Sequence, residues 1–514
     1  MRNRELAAGW AYHDSTKHSF ESVHHDPHFL DWPNKPLLFK IYPKLDPIEL
    51  PREAPPLETS ALETISKSGV ETAGDAIPDL QALVQVLYYS AGITKIKQYP
   101  GEEIQFRAAS CTGALYEIEL YLVCGDLPDL EAGVYHFGAH DLSLRRLREG
   151  DWRGVMARAT AQEESVTQAP VVIICTGTYW RNAWKYEART YRHFGWDNGT
   201  MLANLTATVT ALDLPARVVM GFVDDDVNRL LGLDTDREVA FSLVSLGRTS
   251  APIPQPPVEI EPLVLETEPL SPSEVDYPAM REMHAASSLT GEAEVREWRG
   301  SILAQKFPPP LGQLIPLKPF SDDEMSRAEL GIVILTRGST RRFASDQSIS
   351  FEQLSTLLYC STQGIAADFL DPAAPRLNDL YLIVHAVDGL QPGAYVLHRD
   401  KWVIELLKAG DFRKEAGHLG LNQALPAEAA ATIFFIADLN AVFERFGNRG
   451  YRAAQLEPGI IGGKMYLAAY AQGFGATGLT FYDDDVVEFF SPHAEGKSAI
   501  FQIAIGKSAA RRLG

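Results

Sequence analysis

Seven residues, RGSTRRF from Arg337 to Phe343, gather three arginines around a Ser-Thr pair in a chain whose 67 acidic residues outnumber its 47 basic ones. Arg337, Ser339 and Arg341 have the spacing to meet on one anion at a helix start. Guanidinium forks bind phosphate in a bidentate way, a hydroxyl adds a contact, and helix N-terminal amides favour negative charge. A heptad of similar look, HDSTKHS, puts His13, Ser15 and Lys17 near the N-terminus. It is expected to be a second, degenerate copy of the same element, with weaker donors. Decoration of a surface turn is the plainer reading of either heptad alone.

Two other stretches could do chemistry. WKYEARTYRHF places Lys185 and Tyr186 after a buried-strand pattern. A dry pocket moves the pKa of such groups and suits them to proton transfer, although surface lysines and core tyrosines are commoner. RAASCTGALYEIELYL sets Ser110, Cys111, Thr112, Gly113 and Ala114 before a strand. Small residues there let backbone approach a flat ligand, with amides and hydroxyls on its edge; a turn into a strand explains them equally well.

Other patterns carry less. GFGATG, Gly473 to Gly478, satisfies GxGxxG, but a helix precedes it and a strand follows, the reverse of a dinucleotide fingerprint. The triplets Asp224–Asp226 and Asp483–Asp485 precede helical patterns and are expected to cap them. His24, His25 and His28 sit in a Pro-containing loop without cysteine or a second histidine cluster, and no metal site is expected.

The elements that must position these residues come in two sets. LYLVCGDLPDLEAGVYHF lies over LYLIVHAVDGLQPGAYVL, and Tyr121 with Tyr381 and Asp151 with Asp411 are both 260 apart. TYRHFGWDNG and GYRAAQLEPG keep that offset, FVDDDV and FYDDDV differ by one less, and VLYYS matches LLYCS. A tandem duplication follows. Each copy alternates β-branched runs of four to seven residues with helical spacing, an α+β class with helices on a central mixed, mostly antiparallel sheet. The N-terminal domain is expected over 1–248, with a Pro-rich arm at 20–76. A Pro-rich linker at 249–323 holds one short helical piece, and the C-terminal domain covers 324–514.

The net charge of −20 argues against a nucleic-acid surface. Four cysteines without a CxxC pair favour a reducing compartment, the cytoplasm, over a disulfide framework. The charged stretch Met1 to Trp10 is not expected to be a signal peptide, and the apolar runs are too short to span a membrane.

HDSTKHS, DWPNKPLLFKIYP, RAASCTGALYEIELYLV, GVYHF and KYEARTYRHFGWDNGTMLANL together resemble the SagB-type (ThcOx-type) dehydrogenases of the nitroreductase superfamily. RGSTRRF with the FEQLSTLLYCS helix resembles the general nitroreductase phosphate motif. The resemblance implies FMN bound at the interface of two nitroreductase units. Arg337, Ser339 and Arg341 then match the side that holds phosphate and the pyrimidine edge. Ser110, Cys111, Thr112, Gly113 and Ala114 match a Pro-Ser-Ala-Gly-Ala segment of the facing unit, with Ser110 for the Pro, Cys111 for the Ser and Glu117 for another usual Pro. Lys185 and Tyr186 match a Lys-Tyr pair associated with azoline oxidation, and Gly199 and Asn204 match positions on the next helix.

The two copies are expected to form the superfamily dimer within one chain, with room for further oligomerisation. One composite site joins the phosphate half of copy two to the substrate half of copy one and is complete. The other joins His13, Ser15 and Lys17 to the Ala373–Leu377 stretch and to Arg445 and Phe446, and is degenerate. The implied function is FMN-dependent oxidation of thiazoline or oxazoline rings in a modified peptide or small molecule. An NAD(P)H-fed reductase of nitro compounds or quinones, and a flavin-poor scaffold that positions peptide, are the alternatives.

Overall fold

Short runs crowded with Val, Ile, Leu, Phe and Tyr form strands because branched and aromatic side chains pack well on a pleated surface. The first half supplies β1 (Pro47–Glu49), β2 (Ile118–Cys124), β3 (Gly133–Gly138), β4 (Ser143–Glu149), β5 (Val171–Thr178), β6 (Ala216–Val219) and β7 (Glu238–Leu246). The second supplies β8 (Gln313–Pro316), β9 (Asn378–Val384), β10 (Gly393–His398), β11 (Val403–Ala409), β12 (Ala431–Ala437), β13 (Gly475–Leu479) and β14 (Ser498–Gly506). In this computed structural model residues 2–25, 28–52, 54–67, 69–99, 102–300, 309–370 and 376–509 are described.

The strands make two seven-stranded sheets in the same order, β1-β4-β3-β2-β5-β7-β6 and β8-β11-β10-β9-β12-β14-β13. Every pairing in them is antiparallel. Even the register shifts recur 260 residues apart, at Val134/Tyr135 with Ala394/Tyr395 and at Cys175/Thr176 with Phe435/Ile436. A hairpin of Ile93–Tyr99 and Glu102–Arg107 belongs to the first half alone among the described residues.

Six helices in each half bear on the site. They are α1 (Ala7–Ser15), α2 (Ala61–Ser66), α3 (Leu80–Ala91), α4 (Tyr179–Tyr186), α5 (Thr190–Ala211) and α6 (Asp224–Leu231), then α7 (Pro278–Ala286), α8 (Leu330–Thr336), α9 (Phe351–Thr362), α10 (Leu439–Phe446), α11 (Arg449–Ala471) and α12 (Asp483–Phe490). Several start at a side-chain cap. The Asp79 carboxylate accepts from Ala82 N at α3, and Ser350 with Gln353 forms a capping box at α9. Pro458 sits inside α11 and leaves the Ala454 carbonyl without its helical donor; Asn378 Nδ2 supplies one at 3.0 Å. No helix among the described residues is long and apolar enough to cross a membrane.

The long helices α5 and α11 cross at Gly199 and Gly459, again 260 apart. A Cβ built on Gly199 would lie 2.5 Å from Gly459 Cα, and one on Gly459 would lie 2.6 Å from Trp196 O. Only glycine on both sides allows this approach. The halves also exchange backbone bonds about the same pseudo-twofold axis: Ala61 N donates to Ala328 O and Leu330 N to Thr59 O, both at 2.9 Å.

Two expectations change here. Residues 249–323 do more than link: they contribute α7 and β8, which pairs with β11 as β1 pairs with β4. The expected helical piece there forms over Glu292–Arg299, and the rest of it, 301–308, lies outside the described residues. The aspartate triplets begin α6 and α12 without a side-chain cap. Instead Asp483 receives Arg189 Nη1 at 3.0 Å and Arg192 Nη1 at 2.6 Å, while Asp224 receives Arg449 Nη1 at 2.5 Å and Arg452 Nη1 at 2.8 Å. Each aspartate ties one half to the other, and all six side chains are buried.

The same bonds correct the pairing of the two heptads. Arg192 donates to His13 O and Thr16 Oγ1, and Arg452 donates to His284 O and Ser287 Oγ; Asp483 accepts from His18 N, and Asp224 from Leu289 N. His13 and His284, Thr16 and Ser287, and His18 and Leu289 are each 271 apart, the offset that also relates Ser90 to Ser361. The counterpart of α1 is therefore α7, and that of α8, which leads into RGSTRRF, is α2. The likeness of HDSTKHS to RGSTRRF is coincidence.

Candidate functional site

RGSTRRF does not open a helix. The apolar run LGIVILT precedes it as α8, and Arg337 is the C-cap residue, so the segment runs along the seam rather than presenting helix amides. Ser339 forms a parallel bridge with Ala476 on β13, and Thr340 N donates to Ala476 O at 3.0 Å. Arg337 crosses to the first half, where Nη2 donates to Ala108 O at 2.7 Å, and its guanidinium lies 5.4 Å over the Tyr466 ring. Tyr466 Oη in turn lies 3.2 Å from Ser339 Oγ and accepts from Gly478 N at 2.7 Å. Nothing in the sequence points to Tyr466; its place depends on how α11 meets β13.

The facing half brings the small-residue segment to the same seam. Gly113 has φ +65°, a left-handed turn suited to glycine, and a Cβ there would lie 2.9 Å from Tyr186 Oη. Thr112 is fixed by Asp197 on α5, which accepts from its N and its Oγ1 at 2.9 Å. Thr200 Oγ1 donates to Ser110 O at 2.6 Å, and Asn204 Nδ2 to Tyr89 O at 3.0 Å. A small, half-open cavity lies beside the segment, lined by Ser90, Arg107, Ser110, Cys111, Asp197 and Met201 among others.

Lys185 and Tyr186 end α4 next to Gly113, with Lys185 Nζ 5.2 Å from the Tyr186 ring centre. Burial, helped by the Arg341 charge, pulls the Lys185 amine below its ordinary value. Burial, then the acids Asp197, Cys111 and Glu117, push the Tyr186 phenol up against the opposing pull of Arg341. Arg341 of copy two therefore stands within electrostatic reach of the Lys-Tyr pair of copy one. Gly113 and Tyr186 are brought together with the Ser110–Ala114 segment near Ala108, which receives Arg337; Arg341 acts on Lys185 and Tyr186 through its charge, whereas Ser339 contacts Tyr466 and Ala476 of its own half.

Arg337, Arg341 and Lys185 are three cations that fit an anion. No ion pair to a carboxylate joins Arg337, Arg341 or Lys185 among the described residues, in a chain carrying a net charge of −20. Arg337, Ser339 and Arg341 are the groups that would hold the phosphate of FMN, and the Ser110–Ala114 backbone would face its ring.

The expected second site, and the true counterpart of the first, are both different. His13, Ser15 and Lys17 do not converge: His13 is buried with Nδ1 3.2 Å from Tyr451 Oη, Ser15 is exposed, and Lys17 pairs with Asp14 and Asp484 at 3.0 Å each. Burial and Arg192 hold His13 well below its ordinary value, so it is neutral and offers an anion no charge. The chain's own backbone lies on β6, the counterpart of β13. Val218 N donates to Ala366 O, Asp368 N to Val218 O, and the Asp368 carboxylate accepts from Met220 N and Gly221 N. Phe446 is buried against Trp298, and Arg445 reaches toward Gly300 O. Of the Ala373–Leu377 stretch, 373–375 lie outside the described residues, and Leu377 N donates to Glu457.

A nitroreductase family model matches residues 106–248 and 334–507, which is most of both halves. A crystal structure assigned as a nitroreductase from Anabaena variabilis ATCC 29413 is similar over 98% of this chain and 99% of that one, with 26% identity and a TM-score of 0.77. A Methanocaldococcus jannaschii protein assigned as a nitroreductase is 25% identical over 169 residues, 33% of this chain and 80% of its own length.

Proposed function

This chain belongs to the nitroreductase family, and from that premise we propose that it is an FMN-dependent oxidoreductase with a single flavin site, built where the phosphate segment of its second half meets the Ser110–Tyr186 region of its first. The observation that supports this reading is the set of three cations from both halves, Arg337, Arg341 and Lys185, without a carboxylate partner among the described residues, Arg337 donating to Ala108 O and Arg341 within electrostatic reach of Lys185 and Tyr186. FMN supplies hydride transfer; the chain must bind it, exclude water and handle the proton.

For that proton the two neighbours have opposite aptitudes. Lys185, with its amine pulled down by burial and Arg341, is the better acceptor at neutral pH. Tyr186, with its phenol pushed up, holds its proton and donates a hydrogen bond. In an oxidation Lys185 Nζ takes the proton that the substrate carbon loses, while Tyr186 Oη orients the ring. A five-membered azoline in a modified peptide is the substrate class we favour. The phenol's reluctance to ionise also suits proton donation to a substrate being reduced, so an NAD(P)H-fed reductase is the second reading. Anaerobic addition of NADPH to the flavin-loaded protein separates them. Rapid bleaching supports the reductase; colour that persists with NADPH and bleaches with an azoline peptide supports the dehydrogenase.

Replacing Arg337 by Ala is expected to lower flavin content at least tenfold, read from the visible spectrum of the dialysed protein. Undiminished yellow colour would count against the phosphate role. Tyr186→Phe should keep the flavin and slow turnover about tenfold, the worth of one orienting hydrogen bond, in the oxidation, and by about 10²- to 10⁴-fold where the phenol is the proton donor of a reduction. A turnover number equal to wild type removes Tyr186 from the chemistry.

A further inference from the structure

At the cavity three acids meet, with no cation paired to them among the described residues. Cys111 Sγ lies 3.3 Å from a Glu117 oxygen and 3.4 Å from an Asp197 oxygen. Ligand-capable atoms of all three lie within 4.8 Å of one another. Glu117 and Asp197 are buried, and Glu117 Oε1 has no hydrogen-bond partner. Sequence spacing hides the cluster, since Asp197 is 86 residues from Cys111.

Three acids this close in a dry place cannot all be ionised. Thr112 N and Oγ1 donate to Asp197, which favours a charge there, and Tyr116 N donates to Cys111 Sγ at 3.0 Å. Burial and the neighbouring carboxylates hold the Cys111 thiol well above its ordinary value, so it keeps its proton and donates to one of them. Burial and Glu117 likewise push the Asp197 carboxyl up. The charged and titratable groups around the trio are Arg107 and Tyr116 on the same half, Tyr186 with His193 packed on its ring, and Arg337 and Arg341 across the seam. Arg107 gives its Nη atoms to the carbonyls of Ile118 and Leu38, and Arg337 to that of Ala108, so neither neutralises the trio by contact.

We propose that this cluster of Cys111, Glu117 and Asp197 holds one shared carboxyl proton at neutral pH, with Cys111 as a thiol in it, and that the site sets how firmly Tyr186 holds its own proton during turnover. The inference rests on the flavin reading for its role in turnover, but the shared proton stands apart from it. When the shared proton leaves, one carboxyl O–H bond breaks, a second negative charge appears near Tyr186, and the phenol is held more tightly still. Glu117 and Asp197 act through Tyr186 and are positioning residues.

Infrared spectroscopy of the full-length protein at neutral pH tests the shared proton without reference to flavin. The carbonyl stretch of a protonated carboxyl is expected, shifted in D2O and lost in both Glu117→Gln and Asp197→Asn. Absence of that band in wild type, or its survival in both variants, overturns the proposal. So does metal analysis that finds one zinc per chain, lost in Cys111→Ser, because a cation would then do what the proton is proposed to do. The role in turnover is read from pH profiles. Wild-type rate should fall on the alkaline side as the shared proton is lost, and in Glu117→Gln, whose amide cannot ionise, that limb should vanish with flavin content unchanged. A limb of the same position in Glu117→Gln overturns the link to Tyr186, while a colourless wild-type protein that nonetheless shows the carboxyl band would defeat only the flavin reading.

Discussion

Asp483→Asn lowers the stability of the whole chain by about 3–5 kcal/mol, the cost of leaving buried charge without its partner. The substitution keeps shape and removes the carboxylate that pairs with both Arg189 and Arg192, which are buried. Both arginines rise from the first half while Asp483 starts a helix of the second, so the loss falls on the contact between halves. Asp224→Asn should act alike through Arg449 and Arg452. Chemical denaturation monitored by circular dichroism measures both, and a change below 1 kcal/mol in each would show that the pairs are not structural. Acid supplies a second check. Burial alone would raise the Asp483 pKa, but the two arginines hold it at about 2, below its ordinary 3.8. A depressed carboxylate stabilises the fold above its unfolded pKa and ceases to do so as pH falls through the folded one. About 2 kcal/mol should therefore disappear between pH 4 and pH 2 in wild type, and that part of the acid dependence should be missing in Asp483→Asn.

Gly199→Val is expected to be as severe, through geometry rather than charge. The atoms that a side chain would meet are the backbone Cα and C of Gly459 at 2.5 Å, and backbone in the middle of a 23-residue helix cannot swing aside. The two long helices must separate, at a cost on the order of 3 kcal/mol or more. Because the proposed flavin site draws on both halves, bound flavin should fall along with stability. Gly74→Ala is the control: nothing lies within 4 Å of the added Cβ, and a change within about 0.5 kcal/mol is expected. Equal melting temperatures for Gly199→Val and wild type would mean that the helices do not cross as described.

Much of this frame was readable in the sequence, because strands and long helices kept their offset. Gly199 and Gly459 stand opposite each other in the aligned TYRHFGWDNG and GYRAAQLEPG, and the YR pairs in the same alignment carry two of the four buried arginines. What the alignment could not show is which aspartate answers which arginine, since the partners lie across the fold and a run of Asp before an apolar helix looks like a cap. The heptads misled for a related reason: seven residues of basic and hydroxylic character recur easily, whereas the true relation of α1 to α7 survives mainly in backbone carbonyls that accept from Arg192 and Arg452. Gly113, Lys185 and Tyr186 stand out in the sequence by type and setting, and the fold makes them neighbours. Glu117 drew notice only as a departure from a usual Pro, and Asp197 drew none, because a lone carboxylate on a helix has no local mark until a cysteine is folded against it.

The crossing of α5 and α11 has a consequence for how the molecule behaves in solution. A pair of separate subunits joined there would come apart on dilution below its dissociation constant; a covalent tether keeps the second half at an effective concentration that dilution does not alter. It also means that a substitution alters one face of the pair alone, so one groove can be closed by a neighbouring loop while the other keeps its arginines.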